Sequence, residues 1–204
     1  IVLRFYWSGS VPPSLNWDEA SLGYNAYSIL KTGKDEWGRS FPLTFEAFGD
    51  FKLPGYIYSS IPFIYFFGLS DFGVRFLSQL FGVLSVLFLY LIIKELTKEK
   101  TPALFGAFLL AISPWHAFLS RVALEANYAL GLFLIGFYLF LLGLRKNSLL
   151  SLSSAFFGLT IFTYNSSRVV TPILVFTLGI FYWQNLKNKW VFISLAIFLA
   201  FFLI

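Results

Sequence analysis

The stretch FGVRFLSQLFGVLSVLFLYLII, residues 72–93, decides the fold class of this chain. Arg75 is the only charged residue among its 22 positions, and its apolar side chains do not alternate with polar ones as in a barrel strand. A helix needs about 20 apolar residues to cross a hydrocarbon core of about 30 Å. Backbone groups in lipid must also be paired within the segment, which a helix achieves. The stretch therefore predicts a transmembrane α-helix.

Apolar runs of similar character follow on the C-terminal side of this stretch. They predict further spans at 102–119, 128–144, 149–165, 170–184 and 190–204, and residues 1–7 resemble the tail of an earlier span. Only 12% of the 204 residues are charged, about half of what a soluble domain carries. We therefore expect an all-α fold, a polytopic transmembrane helix bundle in which residues 1–204 form a single membrane domain. Because the chain starts at Ile1 and stops within an apolar run, we expect it to be part of a longer protein.

The loops between the predicted spans differ in charge. One set contains seven Lys or Arg residues and comprises Lys94–Lys100, Arg145–Asn147 and Lys187–Lys189. In the short loops of the other set, around 120–127 and 165–169, the only Lys or Arg residues are Arg121 and Arg168. By the positive-inside rule the Lys-rich loops face the cytoplasm, so residues 8–71 form a long loop on the outer face of the cell membrane. This topology explains the net charge of +5 without a nucleic-acid partner.

Two segments of the outer loop are expected to be helices at the membrane surface. Asn16–Thr32 begins with a favourable N-cap residue, Glu19 follows three residues later as in a capping box, and Gly33 provides a stop. Gly55–Leu69 is apolar, but it is short for a span and is interrupted by Pro62. That combination favours an interfacial or re-entrant helix over a spanning one.

The outer loop also contains the first candidates for a catalytic or binding site. Asp18 and Glu19 lie in the first turn of the predicted helix, where the helix dipole favours acids, so a structural role and a catalytic one both stand open. Asp50 and Lys52 lie in GDFKLPG, residues 49–55, where Gly and Pro form a stiff turn that presents an ammonium group at the membrane face. Lys52 could extend towards lipid headgroups. It could also stabilise an anionic leaving group such as a phosphate.

Two further pairs of opposite charge lie at the ends of predicted spans. Asp71 and Arg75 are four residues apart, as are Arg121 and Glu125, so each pair could form an ion pair on one helix. Charged residues at a membrane boundary are costly and often mark a function, which makes phosphate contact the alternative for both arginines. His116 is the only histidine, and interfacial packing suits it better than a metal site. A divalent cation is possible, with ligands drawn from Asp18, Glu19, Asp50, Glu125 and His116.

The order of these motifs resembles that of the GT-C class of membrane glycosyltransferases. Asp18-Glu19 is followed by GDFKLPGY at 49–56, FGVR at 72–75, SPWH at 113–116 and SRVALE at 120–125. The chain looks most like the N-terminal portion of bacterial protein-mannosyltransferase and aminoarabinose-transferase relatives. This resemblance implies that Asp18 is the catalytic acid/base, with Glu19 beside it, and that Lys52 lies near a lipid phosphate. It also implies that Glu125 is the acidic residue of the second outer loop. Together with the charge pattern, it leaves five further candidate substrate-binding residues: Asp50, Tyr56, Arg75, Arg121 and Glu125.

The same resemblance implies a polyprenyl-phosphate sugar as the donor and inverting transfer to an acceptor hydroxyl at the outer face. The acceptor would be a protein, a glycolipid or a glycan. The alternative is a transporter or flippase of lipid-linked or amphiphilic substrates, which would place polar groups near the bilayer midplane. Here the ionisable residues gather at one rim of the predicted spans instead. A non-enzymatic scaffold would not require this ordered set of acids and bases.

Overall fold

The computed structural model describes residues 1–186 and 189–203, and these are mostly helical, as the predicted all-α class requires. Lys187 and Asn188 of the third basic loop, and Ile204 of the last predicted span, lie outside the described residues. The elements are α1 Val2–Phe5, α2 Trp17–Thr32, β1 Phe45–Ala47, β2 Asp50–Lys52, α3 Pro54–Phe67, α4 Asp71–Thr97, α5 Lys100–Ile112, α6 Pro114–Arg121, α7 Glu125–Gly143, α8 Leu149–Ile161, α9 Ser167–Phe181 and α10 Lys189–Leu203, with a 3-10 turn at Trp183–Asn185.

Within the described residues, two single helices, α4 with 27 residues and α7 with 19, are long and apolar enough to cross a membrane. The predicted span at 102–119 consists of two helices, α5 and α6, which are bent by 58° at Ser113 and together are apolar and long enough for a broken span or a re-entrant loop. Pro114 lacks a backbone N–H and cannot continue α5, so it occupies the first position of a new helix. Helices α8, α9 and α10 have 13, 15 and 15 residues, and α8 and α9 begin or end several residues from the predicted bounds.

The chain forms two compact units, and each has its own core. The first consists of residues 1–84 and 110–128, and the second consists of residues 85–109 and 129–204. All the candidate site residues belong to the first unit. The single membrane domain expected from composition stays a prediction.

The first unit contains the capped helix expected from the sequence. The side chain of Asn16 accepts a hydrogen bond from the backbone N–H of Glu19 (2.8 Å), and the Asn16 N–H donates to the Glu19 carboxylate (3.1 Å). Gly33 ends the helix with a left-handed backbone, φ 68°. The predicted capping box and glycine stop are therefore both confirmed. Helix α2 packs against α3, and its buried face includes Leu22 and Ala26.

A two-stranded hairpin precedes α3 where the sequence predicted only a stiff turn. Strands β1 and β2 are antiparallel, and Phe45 lies opposite Lys52. The two connecting residues, Phe48 (φ 52°) and Gly49 (φ 79°), both have positive φ. This is the pattern of a type I′ turn, whose twist matches that of the strands it joins. Pro54 then opens α3, two residues beyond Lys52.

The second unit is organised around apolar side chains of its helices. Its core comprises Ile92, Phe140, Leu141, Leu150, Phe157, Ile161 and Phe198. The Ser153 hydroxyl donates to the carbonyl of Gly136 at 2.7 Å, so α7 and α8 approach closely there. Arg145 forms an ion pair with Glu95 at 2.7 Å, which places two of the three basic loops side by side. An apolar cavity in this unit has no ionisable side chain among its lining residues, and it is therefore unsuited to acid–base chemistry.

Replacing Gly23 with Ala is expected to destabilise the first unit, because a Cβ there would clash with a methyl carbon of the buried Val74. Overpacking of this kind costs about 1–3 kcal/mol. Thermal denaturation of the purified protein in detergent measures the loss. Gly179→Ala is the matched control, since a Cβ at Gly179 meets nothing within 4 Å. Equal melting temperatures for the two variants would contradict the close approach of Gly23 to Val74.

Candidate active site

Asp18, Asp50 and Lys52 meet in the first unit. The Lys52 ammonium nitrogen is 2.7 Å from the Asp18 carboxylate and 3.4 Å from that of Asp50. The Lys52 side chain is only 11% exposed, whereas those of Asp18 and Asp50 are 42% and 66% exposed. A nearly enclosed cation is thus flanked by two carboxylates that remain accessible to a ligand.

Local structure explains why these residues meet. The capping box starts α2 at Trp17, so Asp18 lies in the first turn of that helix. The hairpin places Asp50 at the start of β2 and Lys52 at its end, directly before α3. Because α2 packs on α3, the first turn of one helix lies beside the segment that leads into the other.

The surrounding charges keep Lys52 protonated. Burial by itself would lower the pKa of Lys52, but the hydrogen bonds to Asp18 and Asp50 and the negative charges of Glu125 and Asp18 outweigh it and raise that pKa. The backbone N–H of Phe51 donates to Asp50 at 2.8 Å, and this bond, together with Lys52, lowers the pKa of Asp50. Both shifts favour the charged forms, so Lys52 is an ammonium and Asp50 a carboxylate at neutral pH.

Glu125 is the fourth member of this group. It is the first residue of α7, it is half-buried, and its charge acts on Lys52. Its carboxyl group also interacts with the backbone of Leu53, the residue that follows Lys52. The structure therefore brings together Asp18, Asp50, Lys52 and Glu125, while their catalytic and binding roles stay predictions. We call these four residues the ionic cluster.

Glu19 points away from the ionic cluster although it is adjacent to Asp18 in sequence. It is 1% exposed, and its carboxylate binds the guanidinium of Arg75 at 2.8 and 3.1 Å. The backbone N–H of Ala123 donates to the same carboxylate at 2.8 Å. With all these partners Glu19 ties α2 to α4 and to the loop before α7, so the structure supports a structural role for it and not the catalytic one.

The Arg75 guanidinium is likewise fully used in hydrogen bonds. It does not form the ion pair with Asp71 that the sequence predicted. Its Nη1 group donates to the backbone carbonyls of Ser8 (3.2 Å) and Pro12 (2.9 Å), in the segment before α2. Its Nη2 group donates to the carbonyl of Ser14 (2.7 Å) in the same segment. With the two bonds to Glu19, all five guanidinium N–H groups have partners. A buried guanidinium with no donor to spare is not placed to bind a phosphate.

Arg121 and Tyr56 both bind backbone carbonyls of the first unit, and their substrate-binding roles stay predictions. Arg121 donates to the carbonyls of Leu3 (3.0 Å) and Val11 (2.8 Å), and the expected pair with Glu125 does not form because α6 ends at Arg121. The hydroxyl of Tyr56 donates to the carbonyl of Val74 at 3.0 Å, and the side chain is fully buried. Both residues hold the first unit together.

Sequence reasoning missed several polar contacts of the first unit. The side chain of Asn127 donates to Ser78 at 2.8 and 3.0 Å, and the Tyr128 hydroxyl donates to that of Ser59 at 2.8 Å. Polar side chains within apolar runs were the available signal for these pairs.

His116 is buried, with its Nδ1 2.6 Å from the guanidinium of Arg4. Among residues 1–186 and 189–203, no group of three or more acids and histidines is placed to hold a metal ion.

Comparison with known proteins gives a family and a fold. The family model described as dolichyl-phosphate-mannose-protein mannosyltransferase matches residues 54–204. The fold is similar to that of ArnT from Cupriavidus metallidurans, in crystal structures of the apo state (TM-score 0.75) and of a complex with undecaprenyl phosphate (TM-score 0.73). Each comparison shows 17% identity and covers 99% of this chain but only 39% of the ArnT chain. No curated protein gives a significant match.

Replacing Glu19 with Gln is expected to cost about 3–5 kcal/mol of unfolding free energy, because it leaves the charge of Arg75 buried without a counter-charge. Asp18→Asn is the matched control on the neighbouring residue. Its side chain is partly exposed, so the loss of its ion pair should cost no more than about 1 kcal/mol. Chemical denaturation of both variants provides the comparison. Similar losses would show that the pair of Glu19 and Arg75 does not hold the first unit together.

Proposed function

This chain belongs to the dolichyl-phosphate-mannose-protein mannosyltransferase family, whose members are integral-membrane glycosyltransferases of the GT-C class, and on that premise we propose a specific activity. The protein transfers a sugar from a polyprenyl-phosphate donor to an acceptor hydroxyl, with inversion and with Asp18 as general base. The observation that carries the proposal is the contact of 2.7 Å between the accessible carboxylate of Asp18 and the enclosed ammonium of Lys52.

The proposed reaction is a single displacement. The acceptor hydroxyl oxygen forms a bond to the anomeric carbon of the donor sugar, and its proton passes to the Asp18 carboxylate. The bond between the anomeric carbon and the phosphate oxygen breaks, and its electron pair leaves with the phosphate. One displacement of this kind inverts the anomeric centre. Positioned general-base help contributes about 10²–10⁴-fold to the rate.

Lys52 is suited to the developing charge on the leaving phosphate. An ammonium has three N–H donors, and two of them face Asp18 and Asp50, which leaves a third for a phosphate oxygen. Hydrogen bonds between ionised groups are about twice as strong as neutral ones. A fixed cation aimed at a developing negative charge is a common source of rate acceleration. Glu125 and Asp50 contribute by keeping this lysine charged.

The chemistry requires only one carboxylate as a base, because phosphate leaves without protonation. That differs from glycoside hydrolysis, in which a second carboxyl group protonates the leaving oxygen. Each step above is carried by side chains of this chain, and none is assigned to a metal ion. The acceptor is a hydroxyl of a protein, a glycolipid or a glycan.

The ionic cluster is proposed to face the outer side of the plasma membrane, with the polyprenyl tail of the donor remaining in lipid. The distribution of basic loops supports this placement. A transporter or flippase would move the donor without consuming it. Incubating membranes that contain the full-length protein with a labelled polyprenyl-phosphate sugar separates the two functions, since only a transferase moves the label to an acceptor.

Replacing Asp18 with Asn is expected to lower sugar transfer by about 10²–10⁴-fold, because the amide cannot accept the proton. The measurement is the initial rate of transfer by the purified full-length protein, with the melting temperature recorded alongside. The variant should keep its fold, as argued above. Near-normal transfer by a folded Asp18→Asn protein would remove the general-base assignment.

Replacing Lys52 with Met is expected to weaken use of the donor, because the apolar side chain cannot contact a phosphate. We expect at least a tenfold loss in kcat/KM for the donor, which corresponds to about 1.4 kcal/mol. Lys34→Met is the matched control, since Lys34 is an exposed lysine of the first unit outside the ionic cluster. An equal effect of the two substitutions, or an unchanged dependence on donor concentration in Lys52→Met, would count against phosphate binding.

A further inference from the structure

Two exposed aromatic side chains lie beside the ionic cluster and have no role in the proposal above. Trp17 is 70% exposed and Phe48 is 71% exposed. Their ring centroids are 6.1 Å apart, and the ring planes are inclined by 31°. The two rings are therefore neighbours and both are largely exposed, and we call them the aromatic pair.

The aromatic pair borders the ionic cluster on two of the three elements that build it, α2 and the hairpin. Trp17 is the residue before Asp18 in the first turn of α2. Phe48 lies in the turn of the hairpin whose second strand carries Asp50 and Lys52. A ligand whose charged group lies at Lys52 would thus have an aromatic surface next to it.

Phe48 occupies a backbone conformation that a residue with a side chain seldom adopts. Its φ is 52°, a left-handed conformation that costs a residue with a side chain about 1–2 kcal/mol. Asn-Gly is the preferred pair at the two positions of a type I′ turn, and here Phe occupies the first of them. Residues kept in such conformations cluster at functional sites and ligand clamps.

We propose that the aromatic pair binds the sugar ring of the lipid-linked donor, an inference that rests on the proposed function. A sugar ring has apolar C–H faces, which carry a slight positive charge, and the face of an aromatic ring is negative. The sugar is joined directly to the phosphate, so it lies within one ring width of the group that Lys52 would bind. The aromatic pair thereby holds the anomeric carbon near Asp18.

The test replaces Phe48 with Asn in the full-length protein. This substitution removes the ring but creates the Asn-Gly pair that a type I′ turn prefers, so the hairpin should fold at least as well. The affinity of each protein is measured for two probes, dolichyl phosphate and dolichyl phosphate mannose. The ratio of the two affinities isolates the contribution of the sugar from those of the phosphate and the lipid tail.

We expect wild-type protein to bind dolichyl phosphate mannose more tightly than dolichyl phosphate. In Phe48→Asn this preference should fall by about threefold to tenfold, while the affinity for dolichyl phosphate stays within about twofold. Phe48→Tyr should keep the preference, since it keeps the ring. Trp17→Leu should lower it, because an aliphatic side chain of similar apolarity lacks the aromatic face.

Phe41→Asn is the matched control. Phe41 is also an exposed phenylalanine with positive φ (42°), but its ring lies against Gly33, at the opposite end of α2 from Trp17. This variant should leave the preference for the sugar unchanged. An equal effect of Phe41→Asn and Phe48→Asn would overturn the inference.

Three other results would overturn the inference. They are an unchanged preference in Phe48→Asn, an equal loss of affinity for both probes, and a wild-type protein that binds both probes equally. An equal loss for both probes would indicate that the ring contacts the lipid tail or the bilayer. A failure of the proposed function is distinguished by the transfer assay. In that case the wild-type protein would transfer no sugar, whatever its relative affinity for the two probes.

Discussion

The buried ion pair between Glu19 and Arg75 is the constraint on which the arrangement of the first unit depends. Both side chains are at most 1% exposed, and a charge in such surroundings is tolerated only with complete pairing. The pair satisfies this condition by engaging every N–H of Arg75 and by accepting a backbone hydrogen bond from the loop before α7. Four separate segments of chain are fixed by one contact as a result. Because Glu19 is held inward, its neighbour Asp18 is turned about 100° around the helix axis, towards Lys52.

Features of this fold that depend on residues close together in the sequence could be predicted, and those that depend on distant residues could not. Helix α2 was predicted with its cap and its stop, since Asn16, Glu19 and Gly33 act through neighbours in sequence. The partner of Glu19 is 56 residues away, and nothing in the spacing of Arg75 and Asp71 indicates that a distant acid competes for the arginine. The bend at Ser113 was hidden by hydropathy, because residues 102–119 form one apolar run although Pro114 interrupts it. The hairpin was hidden by Phe48, an uncommon residue for its turn.

The candidate site shows the same division between residue type and placement. Motif order and chemistry selected Asp18, Asp50, Lys52 and Glu125, and these four lie together in the first unit. The same reasoning also selected Arg75, Arg121 and Tyr56, whose polar groups are used inside the unit by backbone carbonyls. A sequence indicates which side chains can bind a phosphate, but it does not indicate which of them have already been engaged by the fold. The family relationship, in contrast, was available from motif order, and the match over residues 54–204 confirms it.

The short contact between Lys52 and Asp18 has a consequence for the protein when no donor is present. The Asp18 carboxylate at 2.7 Å and the Asp50 carboxylate at 3.4 Å hold the Lys52 ammonium in place before any ligand arrives. A free lysine side chain loses up to about 2 kcal/mol of rotamer entropy when it becomes fixed. Here that loss belongs to folding, so under the proposed mechanism the phosphate meets a cation that is already ordered, and binding is correspondingly less costly.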